Sequence, residues 1–264
     1  MQTRQALIDY TLHLADNALI LGHRNSEWTG HGPILEQDIA LSNIALDLIG
    51  QARLFYQYAA LLINKTPAAD PTSPLNHGTA VTEDSLAYLR DAWDFKNCLL
   101  CEQTNGDWGK TVLRQFYFSA YQFYLYGEMQ KGKDATLAAI AEKALKEVTY
   151  HLRWSSEWVI RLGDGTAESH ARMEKAVGEL SRLTAELFLP AQYERSLAEA
   201  GLAVDLLPLR SRWEQRVREV FEMATLSGGA GMLTGGKEGR HTEHLGYLLA
   251  EMQFLQRAYP GCEW

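Results

Sequence analysis

The stretch Ile34-Leu35-Glu36-Gln37-Asp38-Ile39-Ala40-Leu41-Ser42-Asn43-Ile44-Ala45-Leu46-Asp47-Leu48-Ile49-Gly50-Gln51-Ala52-Arg53-Leu54-Phe55 decides the fold of this chain. Apolar residues return along it at helical spacing, with Leu41, Ile44, Leu48 and Phe55 lining one face. Glu36, Ala40, Asn43, Asp47 and Gly50 recur at intervals of four, three, four and three, which sets a second, more polar stripe beside the first. Such a stripe, if it faces other helices, has to be hydrogen-bonded or metal-bound. Di-iron carboxylate bundles carry a Glu-x-x-His pair on each of two helices at positions of this kind. Here the segment reads Asp47-Leu48-Ile49-Gly50, with no side chain where an imidazole is needed.

Working outward, the same period fills the chain. Leu7 to Leu21 reads as a first helix ended by Gly22, and Ile34 to Ile63 as a longer second one. Residues 66–82 hold Pro67, Pro71, Pro74 and Gly78 and read as a surface loop without a domain boundary. Helices follow over Glu83–Leu100, Trp108–Met129, from an Asp134 cap to Leu162, and from a Thr166 cap to Phe188. A short one around Tyr193–Ala200 and longer ones near Pro208–Thr225 and Thr242–Ala258 complete the chain. No stretch alternates like a strand for more than a few residues. The expected class is all-α, a single helical domain over 1–264 with additional C-terminal helices.

Bulk properties narrow the function classes. At 264 residues the chain can bury roughly three-quarters of its unfolded surface and needs no staples. A net charge of −8 argues against general nucleic-acid or anionic-membrane binding. Three cysteines are too few for a disulfide framework, and Cys98-x-x-Cys101 reads as two half-buried thiols one turn apart. Arg4, Asp9, His13 and Asp16 interrupt the N-terminal apolar pattern, and no uncharged apolar run reaches the roughly 18 residues of a membrane span. The expected setting is cytoplasmic.

Three further regions bear on chemistry. Glu147 and His151 lie one turn apart on the fifth helix, but the three-apart position that a di-iron site uses is Tyr150. A Glu–His hydrogen bond fixing that helix is the plainer reading. The fourth helix has no Asp or Glu between Asp107 and Glu128, so the bridging carboxylate a metal centre needs from it is missing. The acidic residues Glu83, Asp84, Asp91 and Asp94 sit on the preceding segment instead. Phe116, Tyr117, Phe118, Tyr121, Phe123, Tyr124 and Tyr126 surround the fourth helix, which implies burial on more than one side, in the monomer or against a partner. Near the C-terminus, Gly231-x-x-x-x-Gly236-Lys237 matches the first part of a phosphate-binding loop, with Glu238 where Ser or Thr belongs. His241-Thr242-Glu243-His244 offers two imidazoles at a helix start, with capping or an interface the reading preferred over zinc.

Several long motifs carry a resemblance. Glu27-Trp28-x-Gly30-His31-x-Pro33 and the run from Leu35 to Arg53 are similar to the C-subunit family of bacterial phenylacetyl-CoA epoxidases. So are Lys146-Glu147-x-x-Tyr150-His151-Leu152-Arg153, Thr184-Ala185-Glu186-Leu187-Phe188, Gly235-Gly236-Lys237-x-Gly239-x-His241-Thr242-Glu243-His244-Leu245-Gly246 and Glu251-Met252-Gln253-x-Leu255-Gln256-Arg257. The likeness spans essentially the whole chain and departs most at 66–82, which is longer than the family usually has. It implies a ferritin-like bundle with a degenerate, metal-free di-iron site at Asp47, Gly50, Glu147, Tyr150 and His151. It implies no cofactor in this chain and no catalytic residue, with di-iron in a related A subunit that converts phenylacetyl-CoA to its ring epoxide together with a reductase. On that reading the chain is a scaffold that pairs with the A subunit and other epoxidase components, binding neither nucleic acid nor membrane. Self-association when alone stays open. Glu27, His31, Glu36, Tyr117, Tyr121 and Tyr124 are the interface candidates. Two alternatives stand beside it: a self-sufficient di-iron oxygenase using Asp16, Glu36, Asp47, Glu147 and His151, and a CoA-contacting accessory role for Lys237 and Arg240.

Overall fold

In a computed structural model, residues 2–65 and 80–262 are described, and every element among them is helical. Helix α1 runs Gln2–Ser26 and α2 Leu35–Asn64. Gly22 does not end α1 but lies inside it, where α2 crosses so closely that a Cβ would sit 3.2 Å from the Leu48 side chain and 3.3 Å from the Ala45 carbonyl oxygen. Helix α5 (Trp108–Met129) and α6 (Ala135–Gly163) form a second hairpin, and the two hairpins pack into a four-helix core. This bundle matches the ferritin-like expectation in its helical architecture.

The segment expected as one helix over Glu83–Leu100 is instead α3 (Glu83–Tyr88), a 3₁₀ turn at Ala92–Asp94 and α4 (Leu99–Glu102). Side chains of α1 take the backbone groups that a continuous helix would use. Asp16 accepts from the Lys96 N–H (2.8 Å) and Asn17 from the Cys98 N–H (2.7 Å). Arg90 turns inward to Asp16, and its guanidinium also donates to the Leu86 (2.5 Å) and Asp94 (2.9 Å) carbonyls. Tertiary hydrogen bonds outcompete local propensity here.

Asp107 caps α5, and Asp134 caps α6 by accepting from the Thr136 and Leu137 N–H groups. Thr166 caps α7 (Ala167–Leu180) as expected, but α7 stops short of Phe188 and gives way to 3₁₀ turns over Ser181–Leu183 and Ala185–Phe188. The remaining helices are α8 (Gln192–Glu199), α9 (Leu207–Met223), α10 (Glu243–Met252) and α11 (Phe254–Ala258). Helices α7, α8 and α9 pack over α1 and α5, which leaves those two buried on nearly all sides. Trp108 locks one end of the bundle, its ring edge-on to Trp28, Trp154 and Trp158 at 5.2–6.1 Å. Of the expected 66–82 loop, residues 66–79 lie outside the described residues, and Val81 is clamped by both amide atoms of Asn64.

Candidate functional site

Helices α2 and α6 meet along a seam that carries the positions of the degenerate metal motif. The His151 Nε2 and Asp47 carboxylate lie 2.9 Å apart, and Glu147 accepts from the Gln51 amide at 2.9 Å. Behind Gln51, its carbonyl oxygen faces the Gln122 amide (3.3 Å) and the Tyr126 hydroxyl (3.4 Å) of α5, while Gln122 also donates to Tyr126 (3.1 Å). Deeper along the bundle, Asn25 of α1 donates to Gln115 (2.7 Å), which donates to Ser119 (2.8 Å). The interior polar groups in these chains are amides and hydroxyls, joined at Asn25 by the buried guanidinium of Arg114 on α5 (3.2 Å).

This set does not fit a di-iron centre. Asp47, Glu147 and His151 come from two helices only, and the groups facing Glu147 through Gln51 are neutral. Among the described residues no three His, Cys, Asp or Glu side chains converge as metal ligands. Gly50 and Tyr150 do not point into the bundle; both lie on its outer face, with open space where a Gly50 Cβ would be. The atypical five-residue ligand set is not assembled either. Asp16 is held by Arg90, the Tyr56 hydroxyl (2.5 Å) and the Lys96 N–H, while Glu36 is exposed on the first turn of α2.

The aromatic fourth helix of the sequence, α5, is buried by its own chain. Tyr117 and Tyr121 are fully enclosed: Tyr117 bonds Ser181 (3.0 Å) and stacks near Trp213 and Phe221, and Tyr121 meets Phe188 edge-on. Neither can present itself to a partner. Tyr124 is half-buried beneath the Arg212 guanidinium, 4.6 Å from its ring centre. Glu27 and His31 lie at the surface by the loop between α1 and α2. Burial works against the Glu27 charge, but hydrogen bonds from His23 and Arg24 outweigh it and hold the carboxyl below its ordinary range.

Lys237 is not free to meet a phosphate. Its buried ammonium bonds Glu194 (3.0 Å) and the carbonyls of Leu187 (3.3 Å) and Leu189 (3.1 Å). Arg240 is exposed and paired with Glu238 at 2.6 Å. No strand precedes the glycine-rich turn among the described residues. The turn around it is an internal docking site: Glu186 accepts from the N–H groups of Leu99, Gly235 and Gly236 at 2.7–2.8 Å. Burial nonetheless pushes the Glu186 carboxyl up. Glu194 is held low because Lys237 and His13 outweigh its burial, while burial pushes His13 down to about 4.

Sequence reasoning misses an outward stripe of α2. Leu35, Ile39 and Leu46 project from the bundle, Ile49 is 40% exposed with its inner edge against Gly22 of α1, and Ser42 and Arg53 continue the row at the same three–four spacing. Leu35 is 72% and Leu46 65% exposed, so a row of aliphatic side chains about 20 Å long stands in water. Soluble proteins seldom leave such rows uncovered. The spacing is present in the opening stretch, hidden by the apolar face that the core uses.

Residues 1–264 match the family described as phenylacetic acid catabolic protein. The chain is 46% identical to the C subunit of the 1,2-phenylacetyl-CoA epoxidase of Escherichia coli (strain K12), over 260 residues covering 98% of this chain and 99% of that protein.

Proposed function

Because this chain belongs to the phenylacetic acid catabolic protein family, we propose that it is a non-catalytic structural subunit of a phenylacetyl-CoA epoxidase. On this reading it pairs with the di-iron A subunit and stabilises it, and the oxygen chemistry belongs to that partner. The observation that carries the proposal is the aliphatic row Leu35, Ile39, Leu46 and Ile49 on an otherwise well-packed helix. Exposed apolar surface on a rigid element is what a permanent interface covers, and obligate interfaces are richer in such residues than the rest of a surface.

The interior supports the division of labour. Gln51, Gln122 and Tyr126 fill the space between helices with neutral hydrogen-bonding groups, so the bundle keeps its rigidity without bound metal. Asp47 and His151 then act as a strut between α2 and α6, directly behind the exposed row. Their role is to fix the spacing of the two helices that frame the docking face.

Co-expression with the A subunit of the same epoxidase tests the reading. The two chains are expected to co-elute, and Leu46→Lys with Ile49→Lys to abolish co-elution. The doubly substituted chain alone should unfold within about 0.5 kcal/mol of the parent, as exposed sites do. Pairing that survives both charges, or a chain that uses this row only to bind a second copy of itself, contradicts the proposal. Iron and zinc in the chain purified alone should fall well below one per chain, and close to two irons would make it an enzyme in its own right.

A further inference from the structure

We propose that His241 is a buried, proton-carrying clasp that holds the turn before α10 against the bundle, and that the turn loosens when His241 loses that proton. The geometry requires a proton between the ring and its carboxylate partner. Nδ1 of His241 lies 2.7 Å from a carboxylate oxygen of Glu102, and Nε2 lies 2.9 Å from the Phe95 carbonyl oxygen. A carbonyl can only accept, so Nε2 must donate.

Glu102 accepts from three further donors. One of its oxygens receives the Thr242 N–H (2.6 Å) and the Thr242 hydroxyl (2.7 Å), and the other receives the Asn97 amide (2.8 Å) along with His241. With one proton between Nδ1 and Glu102 all five contacts are satisfied, and without it Nδ1 and the carboxylate face each other as two acceptors. Both side chains are almost fully enclosed, at 4% and 0% exposure, so water cannot replace a lost partner. Burial opposes the charge on His241, yet the hydrogen bond and charge of Glu102, the Phe95 carbonyl and the more distant Asp16 outweigh it and raise its affinity for a proton above the ordinary histidine value of 6.5.

Other charges around the clasp are already committed. On α1, Asp16 is bridged by Arg90, and Arg24 donates to the Glu102 (3.1 Å) and His244 (3.0 Å) carbonyls. Glu186, on the 3₁₀ turn packed against Leu99, is filled by three backbone N–H groups, and Lys237 is paired with Glu194. Glu238 and Arg240 pair with each other at the surface, and α10 opens with Glu243 and His244. The ring of His241 is therefore the group whose proton decides whether Glu102 faces a cation.

Sign follows directly. The folded state binds the proton more tightly than the unfolded chain, so the clasp is complete below about pH 6.5 and is lost as pH rises through the higher folded value. Anchors that do not titrate in this range hold the rest of the segment: Gln253 donates to the Ala87 and Arg90 carbonyls, and Arg257 to the Arg90 carbonyl. Loosening is thus confined to residues near 239–246. Gly239 lies hard against the Trp93 carbonyl, so this contact loosens with the turn.

Imidazole-15N NMR of the full chain between pH 6 and 9.5 reads the ring directly. The His241 nitrogens are expected to hold more imidazolium character at pH 6.5 than a free histidine, and to titrate above that pH. Amide exchange at 239–246, corrected for its intrinsic pH dependence, should accelerate at least tenfold across the same midpoint while α5 stays protected. Glu102→Gln should weaken proton binding at His241 at least tenfold, and His241→Gln should remove the exchange midpoint. Neutral-ring shifts at pH 6.5 in the parent chain overturn the proposal, as does exchange that ignores the titration. The parent titration decides the matter even where a variant fails to fold.

Discussion

His13 illustrates how single residues here trade charge for burial. It is fully enclosed on α1, with Nδ1 2.7 Å from the Lys96 carbonyl oxygen and Nε2 3.8 Å from Glu194. Burial, only partly offset by Glu194, pushes its pKa down to about 4, so the ring is neutral at ordinary pH. Between pH 6.5 and about 4 the unfolded chain takes up a proton that the folded one refuses. Stability should therefore fall as pH drops through that window, by on the order of 3 kcal/mol from this residue. His13→Gln should flatten the stability curve between pH 6.5 and 4, measured by chemical denaturation. A slope that survives the substitution places the acid sensitivity elsewhere. His241 is the opposite case, since the hydrogen bond and charge of Glu102 outweigh its burial and raise its affinity for a proton. Neither role can be read from sequence, because Glu102, Glu186 and Glu194 reach the same turn from three separate segments. The motif Gly235 to Gly246 is visible as a pattern, but its partners lie 40 to 140 residues away.

At the level of elements, sequence reading succeeds where local chemistry rules. Trp108 begins and Met129 ends α5 as the pattern predicts, and Asp134 and Thr166 cap the helices assigned to them. It fails at Glu83–Leu100 because Asp16 and Asn17, some eighty residues earlier, capture the backbone there. The aromatic pattern of α5 reveals that the helix is buried but not by what: the cover is α7, α9 and the 3₁₀ turns of the same chain. Tyr117→Ala should then cost about 3 kcal/mol or more through a cavity beside Trp213 and Phe221, lowering the melting temperature of the isolated chain. Tyr124→Ala, at the edge beneath Arg212, should cost much less. Equal and small effects would mean that α5 is not the packed centre described above. The Glu147–His151 hydrogen bond read from their spacing is not formed, because Asp47 and Gln51 of α2 take the two groups instead, and Gly50 and Tyr150 turn away from the interior that the metal motif would require of them.

For the whole molecule, one long helix face is left uncovered by the described residues. Helices α7, α8 and α9 shield α1 and α5, and nothing in the described chain shields the outer row of α2. A partner that binds only the folded chain adds stability by mass action: about 2.7 kcal/mol when its free concentration is a hundred times Kd. For a chain of this size that corresponds to a rise of roughly 5–10 °C in melting temperature. Scanning calorimetry with increasing A subunit should therefore show a transition of this chain that climbs with partner concentration. The Leu46→Lys, Ile49→Lys chain should melt at one temperature throughout. A parent transition that stays fixed while the two proteins co-elute would mean that the complex binds folded and unfolded chain alike, and the stabilising role would have to be abandoned even though the pairing held.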